Sequence, residues 1–389
     1  MSGKNDDYCN ACIGALLLAN TSLTQERTSA LLEKRTHYGK PDTMAFDAIA
    51  EIQTRDSILS YDPSSALITE ELGDSFLAHW PIFADIAFHP SVFFCDPADR
   101  SDNLASFLKA MEAEYGNEKF GKVIARKEAL EKWEAVSQSP ASITGATAAI
   151  TCVRKGRIVF SVVLNYVSQE LTVACSSGIT MVKLDENDTA KGRKFGLQEV
   201  FKRGVAVKFN PISPESPWDH SKYFTTFCGS DRKTGYRENI EASQIMPSED
   251  REAFIRHRAP GGPARILYLS SLQPESQPMG FILANGEKIT EWIHWLPFVI
   301  FARHGNERIL RLFEISHERP LTKEGVLMAA SPPYSVFQLF GGKMAVDVNF
   351  LKRFPNPSRY RSTLIVAPHG NDWVNHLMKQ LCYREIFLS

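Results

Sequence analysis

The sequence predicts an α+β fold, on two observations. Apolar residues recur at helical spacing through most of the first 60 residues. From about residue 143 the period shortens to that of strands rich in Val, Ile and Thr. A length of 389 residues with no internal repeat allows two lobes, or one large layered domain with insertions.

The helical part divides at its polar residues. Tyr8–Asn20 and Leu23–Thr36 read as two helices, with Ser22 as the cap of the second and Gln25 three residues on, as in a capping box. Asp42 or Thr43 is placed to cap a third, Met44–Ser60, whose apolar positions are Phe46, Ile49, Ile52 and Ile58. Two short apolar runs follow, Ala66–Thr69 and Val92–Cys95, each ending in acids, and Ser101–Tyr115 returns to helical spacing. Ile143–Val153, Arg157–Tyr166 and Glu170–Cys175 then read as an antiparallel meander, with turns at Lys155-Gly156 and Ser168-Gln169. Strand-like runs recur at Ala264–Leu269, Gly280–Leu283, Gly325–Ala330 and Thr363–Ala367, and helices are expected at Pro332–Leu339 and Asp372–Leu381.

Composition narrows the function. With 44 basic against 45 acidic residues the formal net charge is −1, which argues against a nucleic-acid partner. No apolar run is long enough to span a bilayer, so no membrane partner is expected. The apolar Cys12–Ala19 stretch follows Asp6 and Asp7 and reads as the buried face of a first helix, not as a signal peptide. Seven scattered cysteines do not suggest a disulfide framework, and a reducing, cytoplasmic location is the expectation. Cys9-x-x-Cys12 has no second such pair for a zinc ribbon and reads as two small buried residues one turn apart.

The chemistry concentrates at strand ends. Glu70 and Glu71 close one predicted strand, and Asp96-Pro97-Ala98-Asp99 closes the next. Carboxylates at the ends of neighbouring strands repel one another unless a hard cation holds them. Oxygen donors without Cys or His favour Mg2+ or Mn2+ over zinc, and the Ala98 carbonyl offers a further oxygen. A helix starting near Arg100-Ser101 would turn its N–H groups to the same point and suit a phosphate. The same residues also suit plain roles: an Asp before a helix as its cap, and Glu-Glu as a solvated surface pair.

The order of these elements resembles the inositol monophosphatase-like superfamily of metal-dependent phosphatases. That superfamily includes fructose-1,6-bisphosphatases and 3′-phosphoadenosine nucleotidases. Asp47 in T-M-A-F-D matches the family's early helical acid. A-L-I-T-E-E-L-G-D, Ala66–Asp74, matches its G-E-E strand, and F-F-C-D-P-A-D-R-S-D-N-L, Phe93–Leu104, its D-P-[IL]-D-G-[ST] motif. Gly156–Ala174 looks like the meander that follows. The resemblance covers roughly residues 8–180. It implies a layered αβαβα sandwich: an N-terminal half over 1–180 that carries the acids, a C-terminal α/β half over 181–340, and an extension over 341–389.

It also implies roles. Glu70, Asp96 and the Ala98 carbonyl would hold a first Mg2+, and Asp96 and Asp99 would share a second. Asp47 and Ser101 would position and deprotonate the attacking water, with Glu71 as a further ligand or base. The N–H groups of Arg100 and Ser101 would hold phosphate. Two residues depart from the pattern: Arg100 stands where the family has Gly, and Leu296 where its W-D motif has a metal-binding Asp. Glu291, His294 and Asp219 are the candidate replacements for that carboxylate. The expected activity is Mg2+-dependent hydrolysis of a small phosphorylated metabolite. The alternative is a weak or inactive relative that binds a phosphorylated ligand or a protein. A homodimer is compatible with either.

Overall fold

In the computed structural model, residues 3–69, 90–154, 157–185, 187–188, 195–208, 223–227, 255–258, 280–288, 294, 297–298, 307–316, 337–340, 343–346 and 360–368 are described. The fold is α+β, with helices packed on a mixed sheet. The runs at Ala264–Leu269 and Gly325–Ala330 and the helix at Asp372–Leu381 lie outside the described residues, as does the Lys155-Gly156 turn.

The first helix, α1 (Gly3–Gln25), is longer than its sequence pattern, and the predicted second helix, Leu23–Thr36, is broken: its start belongs to α1, one turn forms at Thr28–Leu31, and its end is a strand. Ser22 lies inside α1 and caps nothing, because Leu23 and Thr24 continue the buried stripe of that helix. The chain leaves α1 when Glu26 and Thr28 are captured by a distant segment: Phe120 N–H donates to the Glu26 carbonyl (2.8 Å) and Thr28 N–H to the Glu118 carbonyl (2.9 Å). A short α2 (Thr28–Leu31) follows, then a hairpin of β1 (Lys34–His37) and β2 (Lys40–Met44). Tyr38 (φ 47°) and Gly39 (φ 83°) make its left-handed turn. Asp42 and Thr43 are therefore strand residues and not caps. The next helix, α3 (Ala45–Tyr61), begins on a main-chain bond from Ala45 N–H to the Glu33 carbonyl (2.8 Å).

Strands β3 (Ala66–Thr69) and β4 (Val92–Asp99) form as predicted and pair in parallel. The helix α4 (Ser101–Tyr115) follows β4 directly. Short helices α5 (Phe120–Ile124), α6 (Lys127–Ser137) and α7 (Ala141–Thr144) lead to the antiparallel meander β5 (Thr147–Arg154), β6 (Arg157–Asn165) and β7 (Glu170–Cys175). Two further strands, β8 (Gly178–Lys183) and β9 (Val205–Val207), continue that ladder, with α8 (Leu197–Arg203) between them.

Among the remaining strands, β10 (Tyr223–Phe227) lies in parallel between β11 (Ile255–Arg258) and β12 (Gly280–Lys288). Strand β12 also pairs with β16 (Tyr360–Pro368), which pairs with β13 (Glu307–Ser316). The helix predicted at Pro332–Leu339 is overturned in its second half. Phe337–Phe340 is β14, antiparallel to β13 and to β15 (Lys343–Val346). Gly341-Gly342 between the last two strands is a hairpin signal that outweighs the Pro-led start. One residue pairing, Lys343 with Arg157, joins this set to the meander.

The core lies on one face of β3–β7. Leu67, Phe93, Cys95, Ile150, Cys152, Phe160 and Val162 are at most 2% exposed and pack with Cys9, Cys12, Ile13, Leu16 of α1 and Phe46, Ala50, Ile58 of α3. Each of the fully buried Leu, Ile, Val and Phe side chains among them contributes about 1.5–3 kcal/mol. Cys9 and Cys12 are indeed core residues, and burial pushes both thiols up. Among the described cysteines none is in a disulfide. None of the described helices is long and apolar enough to cross a membrane.

At the bottom of α3 a single carboxylate ties four elements together. Asp62 accepts from the Tyr8 hydroxyl of α1, from Ser64 N–H (3.0 Å) and Oγ (2.6 Å), from Ser65 Oγ (2.7 Å) and, more distantly, from Ser91 Oγ (3.4 Å) before β4. Burial opposes its ionisation, but the hydrogen bonds from Ser64, Tyr8 and Ser65 outweigh that and hold the carboxyl well below its usual range. Its contribution to stability is complete above the unfolded-state pKa of about 4 and is lost as pH falls below it. Asp62→Ala should lower the unfolding free energy by about 1–3 kcal/mol in urea at pH 7. The gap to wild type should narrow at acid pH.

Candidate active site

The site grows from the place where β4 stops being regular. Its pairing with β5 slips between Asp96↔Ala149 and Asp99↔Thr147, and Pro97 sits in that bulge, where its missing N–H costs no ladder bond. Ala98 N–H donates to Asp96 Oδ1 (3.2 Å), folding the Asp-Pro-Ala-Asp turn on itself. The Tyr166 hydroxyl, fully buried after β6, donates to the Pro97 carbonyl (2.8 Å) and fixes the turn from the meander side. Burial pushes the Tyr166 phenol well up, so it stays a neutral donor.

Arg100 then takes a left-handed conformation, φ 68° and ψ 47°, and α4 starts at the next residue. That backbone accounts for the glycine of the resembling motif: without a Cβ the turn is nearly free, whereas a non-glycine residue there costs roughly 1 kcal/mol or more. The Arg100 guanidinium lies beside Asp99, with Nε 3.9 Å from Oδ1. Asn103 N–H bonds back to the Arg100 carbonyl (2.9 Å), which sets the first turn of α4.

Asp47 approaches from α3. It lies in that helix's first turn, where a negative charge is favoured, and is 7% exposed. The Ser101 hydroxyl reaches both Asp47 Oδ1 (2.7 Å) and the Ala98 carbonyl (3.0 Å). A single hydroxyl proton is thus set between a carboxylate and a peptide oxygen. The shorter bond to a charged acceptor is the stronger of the two. Asp47, the Asp96–Asp99 turn and the start of α4 are thereby brought to one point.

Asp96 is 2% exposed and points to the sheet face opposite the Cys95 core, as strand alternation requires. Farther along that opposite face sits His294, 1% exposed, whose Nδ1 is 2.9 Å from Thr151 Oγ1. Thr151 in turn donates to Ser161 Oγ (2.9 Å). His294 thus packs against the middle of β5. Glu70, Glu71, Asp219, Glu291 and Leu296 lie outside the described residues.

Asp96, Asp99 and the Ala98 carbonyl form an all-oxygen donor set, which fits a hard divalent cation in kind. Among the described residues no group of three or more His, Cys, Asp or Glu is assembled to hold a metal ion.

Two contributors escaped the sequence reading. Glu51, 1% exposed, accepts from the Thr69 hydroxyl at the end of β3. Ile52, expected inside, is 37% exposed instead. The i, i+4 spacing from Asp47 put Glu51 on the buried face and was the available signal. Tyr166 had no comparable signal, because its contact depends on how the meander folds back on β4.

An α+β fold with a strand-end acid turn opening onto a helix N-terminus is the arrangement found. The chain is similar in structure to members of the inositol monophosphatase family. CysQ from Bacteroides thetaiotaomicron, a bacterial member of that family, shares 11% identity over 93% of this chain and 97% of its own, with a TM-score of 0.47. An inositol monophosphatase from Zymomonas mobilis shares 12% over 98% and 99%, TM-score 0.47. The extragenic suppressor protein suhB from Bartonella henselae shares 13% over 96% and 98%, TM-score 0.46. No protein-family model and no curated protein matches the chain.

The Arg100 turn generates a test. Arg100→Gly removes both the left-handed strain and the charge beside Asp99. The variant should keep its melting temperature to within a few degrees, since relieved strain and added unfolded-state entropy nearly offset. Thermal unfolding of the two proteins followed by circular dichroism checks it.

Proposed function

We propose that this chain is a Mg2+- or Mn2+-dependent phosphatase that hydrolyses a small phosphomonoester, an inositol, sugar or nucleotide phosphate. The observation that carries the reading is the Ser101 hydroxyl bonded at once to Asp47 (2.7 Å) and to the Ala98 carbonyl (3.0 Å). That pair supports a reading in which Asp47 serves as base and Ser101 as its hydroxyl partner, beside the oxygens of the Asp96–Asp99 turn. The Ser101–Asp47 pair fits the activation of a water, and the turn itself suits a divalent ion held by Asp96, the Ala98 carbonyl and Asp99, with Glu70 and Glu71 as the further acids.

Such an ion supplies Lewis-acid polarisation of phosphoryl oxygens and a lowered pKa for water. The rest falls to the chain. Asp47 accepts the Ser101 hydrogen bond, which leaves the lone pairs of Ser101 Oγ turned outward to accept a hydrogen bond from the attacking water. As the new P–O bond forms and the ester bond breaks, Ser101 passes its proton to Asp47 and takes one from the water, so that Asp47 is the net acceptor, and the leaving alkoxide takes its proton from solvent water. Main-chain N–H groups at Arg100 and Ser101 support the phosphate from the N-terminus of α4.

The alternative, a non-hydrolytic binder of phosphorylated ligands, is favoured by the Arg100 guanidinium 3.9 Å from Asp99. A cation fixed there competes with metal for Asp99 and offers its own charge to phosphate.

A phosphate-release screen over inositol, sugar and nucleotide monophosphates with Mg2+ or Mn2+ separates the two. Turnover supports the phosphatase; binding of a phosphate ester with no release supports the alternative. In the first case Asp47→Asn should lower kcat by about 10²–10⁴-fold. Near-normal kcat in that variant would remove Asp47 and Ser101 from the mechanism.

Metal binding is tested separately. Mn2+ should raise the melting temperature of the wild type by mass action, and Asp96→Asn should abolish the shift. An undiminished shift in Asp96→Asn would place the ion elsewhere.

A further inference from the structure

Below the Asp47–Ser101 contact, one turn deeper along α3, lies a second carboxylate, and no part of the phosphatase reading uses it. Glu51 is 1% exposed and accepts a hydrogen bond from Thr69 Oγ1, itself 1% exposed. Thr69 is the last residue of β3 and pairs in register with Cys95, the residue before Asp96. Glu51 therefore sits under the end of β3, beside the part of β4 that leads into the acid turn.

Two acids of α3 thus reach the same region by different routes. Asp47 bonds the start of α4 through Ser101, and Glu51 bonds the end of β3 through Thr69. A carboxylate this deep is costly unless its charge is compensated. A helical Glu at this station could have been a Leu if packing were its only task, since the neighbouring buried positions Phe46, Ala50 and Ile58 are apolar.

We propose that Glu51 is a positioning residue of the acid site, which ties the end of β3 to α3 through Thr69 and whose carboxylate, ionised when a cation occupies the Asp96–Asp99 turn, strengthens cation binding there. The inference rests on the phosphatase reading for the presence of a cation and goes beyond it in assigning part of the affinity to a residue that does not touch the ion. The charge does one job and the clamp another. Glu51→Gln removes the charge and keeps an acceptor for Thr69. Glu51→Asp keeps the charge but, one methylene shorter, gives up the clamp.

The test is calorimetric titration of chelator-treated full-length protein with Mn2+, together with melting temperatures in chelator. Glu51→Gln should bind Mn2+ about 10–100-fold more weakly than wild type, the range found for outer-sphere partners of metal ligands. Its melting temperature without metal should be unchanged or higher. Glu51→Asp should melt lower than wild type yet bind Mn2+ within a few-fold of it. This crossed pattern is one that a merely structural glutamate would not give. Wild-type affinity in Glu51→Gln overturns the proposal and leaves the phosphatase reading standing. Equal loss in Glu51→Gln and Glu51→Asp also overturns the charge role. A wild type that binds no Mn2+ overturns this proposal and the metal-dependent reading together. If Glu51→Gln does not fold, Thr69→Val reads the same question from the other side: the clamp is lost, the charge remains, and Mn2+ affinity should hold to within a few-fold. A loss as large as the one expected of Glu51→Gln would again overturn the charge role.

Discussion

The N-terminal layers depend on one packing event, the burial of a single face of the β3–β7 sheet under α1 and α3. Phe93, Cys95, Cys152 and Phe160 cannot leave water unless both helices lie across them. Once α3 is fixed there, its first turn is delivered to the end of β4, and Asp47 meets Ser101 without any loop having to be placed. The site lies at the rim of the core, on elements whose positions the core determines.

Polar groups inside this packing serve position more than stability. Asn20 and Gln169 exchange two amide hydrogen bonds (2.8 and 3.1 Å), and Gln169 also donates to the Tyr166 carbonyl (2.7 Å). Tyr166 in turn holds Pro97. A chain of contacts runs from the buried face of α1 through the β6–β7 turn to the acid turn. Asp62 does the equivalent at the other end of α3. Buried polar bonds of this kind add little net free energy each, but they leave few alternative arrangements for the side chains they join.

Much of this was legible in the sequence, for identifiable reasons. The meander, β3, β4 and α4 announce themselves by period, and the acids by their places at strand ends. The hairpin β1–β2 was not legible, because Leu23–Thr36 carries apolar residues at helical spacing. What ends α1 is a pair of main-chain bonds to residues 118 and 120, nearly a hundred positions away. The caps at Ser22, Asp42 and Thr43 failed for a related reason: suitable side chains were present, but the turn they would have capped lay elsewhere. Glu51 was hidden by a rotation of one residue in the buried stripe of α3, which put Ile52 outside. Arg100 was visible as a departure from a motif, but its left-handed backbone is a property of three dimensions.

The sulfur content of the core has a consequence of another kind. Cys9 and Cys12 on the inner face of α1 and Cys95, Cys152 and Cys175 of the sheet all lie in the layer between helices and sheet, each at most 1% exposed, with their thiols held protonated by burial. A thiol-specific reagent reaches them only when the helical layer lifts from the sheet, so the rate of their labelling is the rate of that opening at high reagent concentration and its equilibrium at low. The chain thus carries a built-in clock for the detachment of the two helices that hold Asp47 and Glu51 in place, readable without introducing any cysteine.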